Sequence, residues 1–548
     1  MDRREQTFPR LTDGQIARIS GIGKRRSVGA GEVLFEPGEQ NTDLFVVISG
    51  GIELVRSVAG REQAITMLGP GQFTGEINML SSRVTLVRGR MASEGSVVAL
   101  DRDGIRAVVQ RDPELSEILL RAFILRRVAM ISESENDLVL LGSRHSLGTL
   151  QLKEFLTRNG QPFTYYDVEN DPGVQAMLDR WQIGVNEVPV IVCEGGYVYR
   201  NPSIEALSAE LGLTPDLDAK AVRDVVIVGA GPAGLAAAVY AASEGLDVLV
   251  LESTAPGGQA GTSSRIENYL GFPTGITGQA LAGRALTQAE KFGAEVAIAR
   301  TAVRFNCDER PYRVHLSDGE VVQARSIVIA TGARYRKLDV PELSRFEGAG
   351  IFYSATPMEA KSCQEEEIAI VGGGNSAGQA AVFLSGIASR VHVVVRGPGL
   401  AESMSRYLIQ RIESSRNVEL RTRTRVESLE GGDRLERIRW RHVEAGEPET
   451  RPIRNLFVMT GADPNTSWLK GCVVLDEKSF VKTGADLRPE ELAEAHWPLA
   501  RPPYLMETSI PGVFAVGDVR SSSVKRVASA VGEGSICVQL IHKALQEL

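Results

Sequence analysis

Cysteine is scarce in this sequence. Its 548 residues hold five, at positions 193, 307, 363, 472 and 537. No two stand at Cys-x-x-Cys or zinc-ligand spacing, so neither a dithiol motif nor a metal site is expected. Nor do they form the dense framework of a small disulfide-stapled protein, which places the chain in a reducing cytoplasm. Positive charge is not in surplus either: 61 basic side chains face 69 acidic ones, a formal net charge of −8. That argues against nucleic acid as a partner, which wants concentrated positive surface. Residues 1–10 include Arg3, Arg4 and Glu5 but no apolar core, so no secretory leader is expected. One uncharged run, residues 225–242, has the length of a membrane span. Gly229, Gly231, Pro232 and Gly234 divide it into strand, turn and helix, and a buried α/β unit accounts for it better.

What is present is a large soluble composition, 43% apolar and 24% charged, too long for a single core. Residues 28–100 read as short strands with frequent turn signals, Pro37-Gly38 and Gly50-Gly51 among them, and predict an antiparallel β-roll. Asp112-Pro113 predicts a helix start, with Asp as cap and Pro in the first turn. A second unit, 137–213, alternates strand (138–141), helix (147–158), strand (163–168), helix after Asp171-Pro172, and strand (188–192), an α/β sandwich. Thr214-Pro215-Asp216-Leu217-Asp218 reads as a linker.

From residue 221 onward one signature occurs twice. Gly229-Ala230-Gly231-Pro232-Ala233-Gly234 follows an apolar strand at 225–228, and Gly372-Gly373-Gly374-Asn375-Ser376-Ala377 follows another at 368–371. The first glycine allows the tight turn, the second lets backbone approach a pyrophosphate, and the third packs helix on strand. The helix N-terminus that follows favours negative charge. After the first signature, the next strand delivers Glu252, about 20 residues on, where a carboxylate receives a ribose diol. After the second, the strand at 391–395 ends in Arg396 instead. A 2′-phosphate would pair with it, favouring NADPH over NADH; a solvated surface arginine is the other reading of that position.

With these motifs the C-terminal part, from about residue 220, resembles the low-molecular-weight thioredoxin reductases of the pyridine nucleotide–disulfide oxidoreductase superfamily. Gly257-Gly258-Gln259, Glu267-Asn268-Tyr269, Ala330-Thr331-Gly332-Ala333 and Gly512-Val513-Phe514-Ala515-Val516-Gly517-Asp518 carry the likeness in family order. The resemblance implies FAD and NADPH as cofactors and a homodimer. It implies a FAD domain in two pieces, 221–338 and 461–548, with the nucleotide domain, 339–460, inserted between them. It places Gly258, Gln259 and Asn268 near the flavin and Thr331, Gly332 and Ala333 at the domain crossing. Gly517 and Asp518 fall at the ribityl chain, and Val527 and Ala528 at the isoalloxazine edge. One departure matters most: where that family keeps its redox Cys-x-x-Cys, this chain reads Tyr353-Ser354-Ala355-Thr356-Pro357, with Ser354 and Pro357 in the cysteine positions. Neither side chain has a dithiol's two-electron couple, and lone Cys363 reads as a packed or surface thiol.

The unit 135–214 resembles a glutaredoxin or thioredoxin domain, with Val188-Pro189 at that family's cis-proline and Ser143-Arg144-His145-Ser146 where its thiols belong. The segment 1–134 resembles a cyclic-nucleotide-binding domain, with residues 73–80 as the phosphate cassette. Gly75, Glu76 and Arg83 are then the candidate contacts to a cyclic-nucleotide effector; Arg83 and Arg88 fall either side of the family's phosphate-pairing arginine. A β-roll used only for interaction or dimerisation is the other reading. The expected architecture is thus multidomain: β-roll, α/β thioredoxin-like domain, and two α/β Rossmann-type domains. The expected chemistry is hydride transfer from NADPH to FAD. Three outcomes stay open: a reductase without a dithiol, serving a small-molecule or protein acceptor; a disulfide reductase borrowing external thiols; and a non-catalytic sensor.

Overall fold

The structure is a computed structural model of the chain. It describes all residues except 1–2, 40–41, 59–60, 76–78, 80–84, 86, 133–137, 172, 194–196, 219, 264, 267, 348, 354, 356 and 445.

In the N-terminal region, strands Lys24–Val28, Val33–Phe35, Leu44–Val58, Arg61–Leu68 and Arg88–Leu100 form one antiparallel sheet. Two of these strands are long, correcting the expectation of short strands turned at Gly50-Gly51. The chain runs straight through both glycines, and the pairing register slips there instead. A bulge absorbs the extra residue: Gly50 sits at φ +80°, and a Cβ on Gly95 opposite would lie 2.1 Å from the Ser49 carbonyl oxygen. Asp112 caps helix Pro113–Ser132 as expected, accepting the Leu115 N–H at 3.1 Å. The preceding helix, Arg102–Arg111, was not anticipated. Asp101 caps it through the Gly104 N–H, and it buries Ile105, Val108 and Val109.

The second unit has the four-stranded order Thr164–Asp167, Val139–Gly142, Val190–Val192, Val198–Arg200, with the first pair parallel and the rest antiparallel. Helix Leu147–Arg158 buries Leu152, Phe155 and Leu156 against the sheet. The Val188–Pro189 peptide is cis. Residues 214–218, expected as a linker, are pinned. The Thr214 hydroxyl donates to the Ile298 carbonyl at 2.8 Å, and the Pro215 carbonyl accepts from Arg300.

The remainder holds a larger, mixed sheet, in which Ala302–Asn306 and Tyr312–Leu316 form an antiparallel edge, and a second, parallel one. In the larger, strands Glu295–Ile298, Val248–Glu252, Val222–Val228 and Val321–Ile329 are parallel, and Val513–Ala515, from late in the chain, joins the same sheet beside Val321–Ile329. In the other, Ile351–Phe352, Asn455–Val458, Glu367–Val371, Arg390–Val394 and Val418–Arg421 are parallel. Central strands such as Val248–Glu252 are buried along their whole length, which is why they read as unbroken apolar runs. The sheets are joined by one narrow ribbon, in which Ala333–Tyr335 pairs antiparallel with Ala462–Pro464.

The cysteines include one pair that spacing did not reveal. Cys307 and Cys472 form a disulfide across a sequence separation of 165, beneath Phe305 and Trp468. Spacing rules see only near neighbours, whereas the fold brings these two chain segments onto the same face of the larger sheet. The other cysteines are free: Cys193 is half-buried, Cys363 and Cys537 are buried.

Candidate cofactor site

The first glycine signature forms a tight turn between strand Val222–Val228 and helix Pro232–Ser243. Gly229 has φ +106°, and a Cβ there would lie 2.4 Å from the Ala330 carbonyl oxygen. A Cβ on Gly234 would lie 1.9 Å from the Gly229 oxygen. Gly231 is the N-cap and Pro232 opens the helix, so the free N–H groups of its first turn face outward. Ala233 is buried in this turn. Glu252 is buried at the end of its strand. One carboxylate oxygen accepts the Ala230 N–H at 2.8 Å, and the other accepts those of Thr254 and Ala255 at 2.9 and 3.2 Å. The acid thereby ties the glycine turn to the loop that leads into Gly257 and Gly258. Gly257 returns a bond to the Ala230 carbonyl at 2.7 Å, and a Cβ on Gly258 would lie 3.1 Å from Gly231 Cα. These glycines leave a backbone-lined cradle that any side chain would fill.

The Gln259 amide donates to the Ala333 carbonyl, while Asn268 lies exposed in a bend. Thr331 and Asn465 cross-link the strand crossing: the Thr331 hydroxyl donates to the Asn465 carbonyl at 2.8 Å, and the Asn465 amide returns a bond to the Thr331 carbonyl at 2.8 Å. Gly332 accepts the Asn465 N–H at 3.0 Å. At the other end of the cradle, Gly517 (φ +75°) approaches Ala233 so closely that a Cβ would lie 2.9 Å from its Cβ. The Asp518 carboxylate accepts no hydrogen bond among the described residues. Burial raises its pKa, opposed by Lys525. Val527 begins the long C-terminal helix Val527–Glu547, half-buried, with Ala528 exposed beside it. A glycine cradle, a helix N-terminus and an unsatisfied carboxylate are a donor set that fits a dinucleotide with hydroxyls to spare.

The second signature repeats this geometry. Gly372 has φ +149°, and its Cβ would meet the Met459 carbonyl oxygen at 2.2 Å. Gly374 caps helix Asn375–Ser385. Asn375 holds the neighbouring loop by accepting the Ser405 N–H at 2.7 Å, and Ser376 is exposed. Arg396 is exposed after its strand and forms no ion pair among the described residues. That leaves its guanidinium available to a phosphate.

Other candidates are not brought to this site or fall outside the description. Ser354, Glu76 and Arg83 lie outside the described residues, and Pro357 opens the short helix Pro357–Ala360. Gly75 accepts from Arg126 at 2.7 Å, with that guanidinium packed on the Phe8 and Phe73 rings. Sequence reasoning missed Glu533, whose carboxylate accepts the Gly517 N–H at 2.6 Å and pairs with Arg520 at 2.6 Å. The one charge in the stretch 527–541 was the available signal. It also missed Arg158, for which no local pattern spoke.

The profile of the pyridine nucleotide-disulphide oxidoreductase family matches residues 223–534. The chain belongs to that family. A second profile, the cyclic nucleotide-binding domain, matches residues 25–112. Among similar proteins, the thioredoxin reductase of Listeria innocua is 30% identical over 328 residues, spanning 60% of this chain and 95% of that protein. The thioredoxin reductase of Bacillus subtilis is 31% identical over 329 residues, spanning 60% and 96%. Of solved structures, the Lactococcus lactis thioredoxin reductase in its FR conformation aligns with a TM-score of 0.52 and 28% identity, covering 60% of this chain and all of that one. The T. acidophilum enzyme gives 0.52 and 27%, covering 59% and 98%. The chain is therefore a flavoprotein oxidoreductase of the thioredoxin reductase superfamily, an enzyme whose cofactors are FAD and NADPH. Among the described residues no helix is long and apolar enough to cross a membrane.

Proposed function

We propose that this enzyme reduces an acceptor directly from flavin, without the superfamily's redox-active Cys-x-x-Cys. The observation that carries the reading is the segment Tyr353-Ser354-Ala355-Thr356-Pro357, where its relatives' superfamily keeps the redox cysteines. The free cysteines offer no substitute. Burial pushes the Cys363 thiol up to about 11 and the Cys193 thiol up to about 12, and Cys537 is raised by complete burial in the core. None is a thiolate at neutral pH.

The cofactor contacts we propose follow the geometry above. Gly229, Gly231, Pro232, Ala233, Gly234 and Glu252 hold the FAD pyrophosphate and ribose. Gly258, Gln259, Asn268, Gly517, Asp518, Val527 and Ala528 lie along the rest of the flavin, and Thr331, Gly332 and Ala333 line the crossing. Gly372, Gly374, Asn375, Ser376 and Arg396 receive NADPH. When bound, FAD supplies a two-electron acceptor for hydride; the protein's share is to orient the two dinucleotides and keep water out. A quinone, an iron–sulfur protein or oxygen fits the open acceptor role. Anaerobic bleaching by NADPH, followed by reoxidation with a quinone or ferredoxin but not with thioredoxin disulfide, is the expected result. Reduction of thioredoxin disulfide would instead support the second reading, disulfide reductase activity, which the names of the relatives favour.

We also propose the β-roll as a regulatory unit and the 135–214 unit as a thiol-free thioredoxin-like domain. Helix Arg102–Arg111 supports the first: the Gln110 amide donates to the Lys291 carbonyl at 3.2 Å, at the end of helix Gly278–Lys291. The same helix begins where a Gly278 Cβ would meet the Ala260 carbonyl oxygen at 1.8 Å, two residues past Gly258. Cyclic AMP and cyclic GMP leaving the NADPH oxidation rate unchanged would remove the effector part. A cytoplasmic homodimer completes the proposal. Sedimentation at twice the 59.2 kDa chain mass is the expected outcome for the assembly.

A further inference from the structure

The unit between the β-roll and the flavin domain is built into its neighbour rather than tethered to it. Its core residues Leu140, Phe155, Leu156 and Leu213 form one cluster with Ile298, which lies on the outer strand Glu295–Ile298 of the larger sheet. The Ile298 N–H donates to the Leu213 carbonyl at 3.3 Å, and Ser208 and Thr214 both reach the Ile298 carbonyl. A shared core with shared backbone bonds does not swing.

Several of the polar contacts across this seam fall on one loop, residues 253–258. Its N–H groups at Thr254 and Ala255 are spent on Glu252. Its carbonyls are taken from the other side by the end of helix Leu147–Arg158. One guanidinium nitrogen of Arg158 donates to the carbonyls of both Ala255, at 3.2 Å, and Gly258, at 3.0 Å. The buried Asn159 amide donates to Thr254 at 3.1 Å, and Gln279 donates back to the Thr157 carbonyl at 2.5 Å. Glu154, one turn earlier, pairs with Arg158 at 3.3 Å and aims it. The loop so held sets Gly258 against Gly231, where the cradle is closed by backbone alone. Two consecutive residues, Gly257 and Gly258, have positive φ, so this stretch has few local constraints and needs external ones.

We propose that Arg158 is a positioning residue of the FAD site: its guanidinium fixes the carbonyls of Ala255 and Gly258, and with them the backbone wall facing Gly231. The 135–214 unit is then a fixed part of the flavin cradle. Helix Leu147–Arg158 is 12 residues long, so its N-terminal end, at Ser143–Ser146, lies about 16 Å along the axis from the seam. The end of the unit where a thioredoxin fold would keep its thiols points away from the cradle.

This inference rests on the reading of residues 229–258 as the FAD cradle, and the test separates the two. Full-length Arg158→Ala, Arg158→Lys and wild type are compared for FAD dissociation, followed by the fluorescence of released flavin, and for the visible spectrum of the bound flavin. Arg158→Ala is expected to weaken FAD binding about tenfold or more and shift the flavin absorbance envelope. Its KM for NADPH at saturating FAD should stay within twofold. Arg158→Lys, keeping the charge and a nitrogen able to donate twice but on a shorter, non-planar head, should recover part of the affinity. Arg158→Met, which keeps an apolar stem of similar reach without any donor, serves if the alanine variant does not fold. FAD affinity within twofold of wild type in Arg158→Ala, or in Arg158→Met where that variant serves, overturns the proposal, even if the apoprotein melts lower. A wild type that binds no FAD overturns the cradle reading itself.

Discussion

The Gly234→Ala substitution tests the first cradle at its tightest point. The added Cβ would lie 1.9 Å from the Gly229 carbonyl oxygen, 3.0 Å from the Gly229 carbonyl carbon and 3.3 Å from the Ala330 Cβ. The nearest two atoms belong to backbone on a buried turn, so no side chain can swing aside. Helix Pro232–Ser243 must withdraw by more than 1 Å, taking its free N–H groups out of reach of a pyrophosphate. Overpacking of this kind costs about 1–3 kcal/mol. Expressed in ligand affinity at about 1.4 kcal/mol per tenfold, that is roughly five- to a hundredfold weaker FAD binding. The assay is flavin release on dilution, read by fluorescence and by the absorbance remaining after gel filtration. Gly283→Ala is the control: it lies on an exposed helical face with nothing within 4 Å. It should retain flavin and gain about 0.8–1 kcal/mol of stability. If Gly234→Ala holds FAD as tightly as wild type, the cradle is elsewhere and the reasoning fails.

Four companion measurements follow. Gly372→Ala should keep its flavin yet raise the KM for NADPH at least tenfold, because its Cβ would meet the Met459 oxygen at 2.2 Å; equal loss of both cofactors would show that the two turns are not separate sites. Asp518→Asn should stabilise the apoprotein, since burial penalises the charged form, while weakening FAD retention; destabilisation of the apoprotein would contradict the assignment. Thiol titration under denaturing conditions should find three free thiols before reduction and five after, and Cys307→Ser should lose about 2–4 kcal/mol. The Glu491 carboxyl is held at about 2 by the Arg488 N–H and by Lys482. Its folded pKa lies below the unfolded one, so its contribution is full above about pH 4.5 and lost as pH falls toward 2. The stability gap between wild type and Glu491→Gln should close over that window, and a gap that widens would contradict the pairing.

Local patterns that repeat at short range were legible in the sequence. Each glycine signature announced its strand, turn and helix because turn, approach and packing all demand glycine within six residues. The 147–158 helix was readable to its ends, since Ser146 caps it through the Thr149 N–H and Asn159 closes it. What escaped were features made by distant segments. Gly50-Gly51 has the composition of a turn, yet pairing with Arg88–Leu100 pulls it straight into a bulge. The Cys307–Cys472 bond and the Arg158 contacts join residues with no common period or motif. Helix Arg102–Arg111 was overlooked because its apolar positions, Ile105, Val108 and Val109, are few among charges.

Anaerobic titration with NADPH reaches the central claim most directly. A reductase with flavin but no redox dithiol takes up two electrons per chain, so one equivalent of NADPH should bleach the flavin completely and expose no new thiol. Uptake of a second equivalent with appearance of two thiols would mean that a cysteine pair shares the electrons, and the account would be wrong.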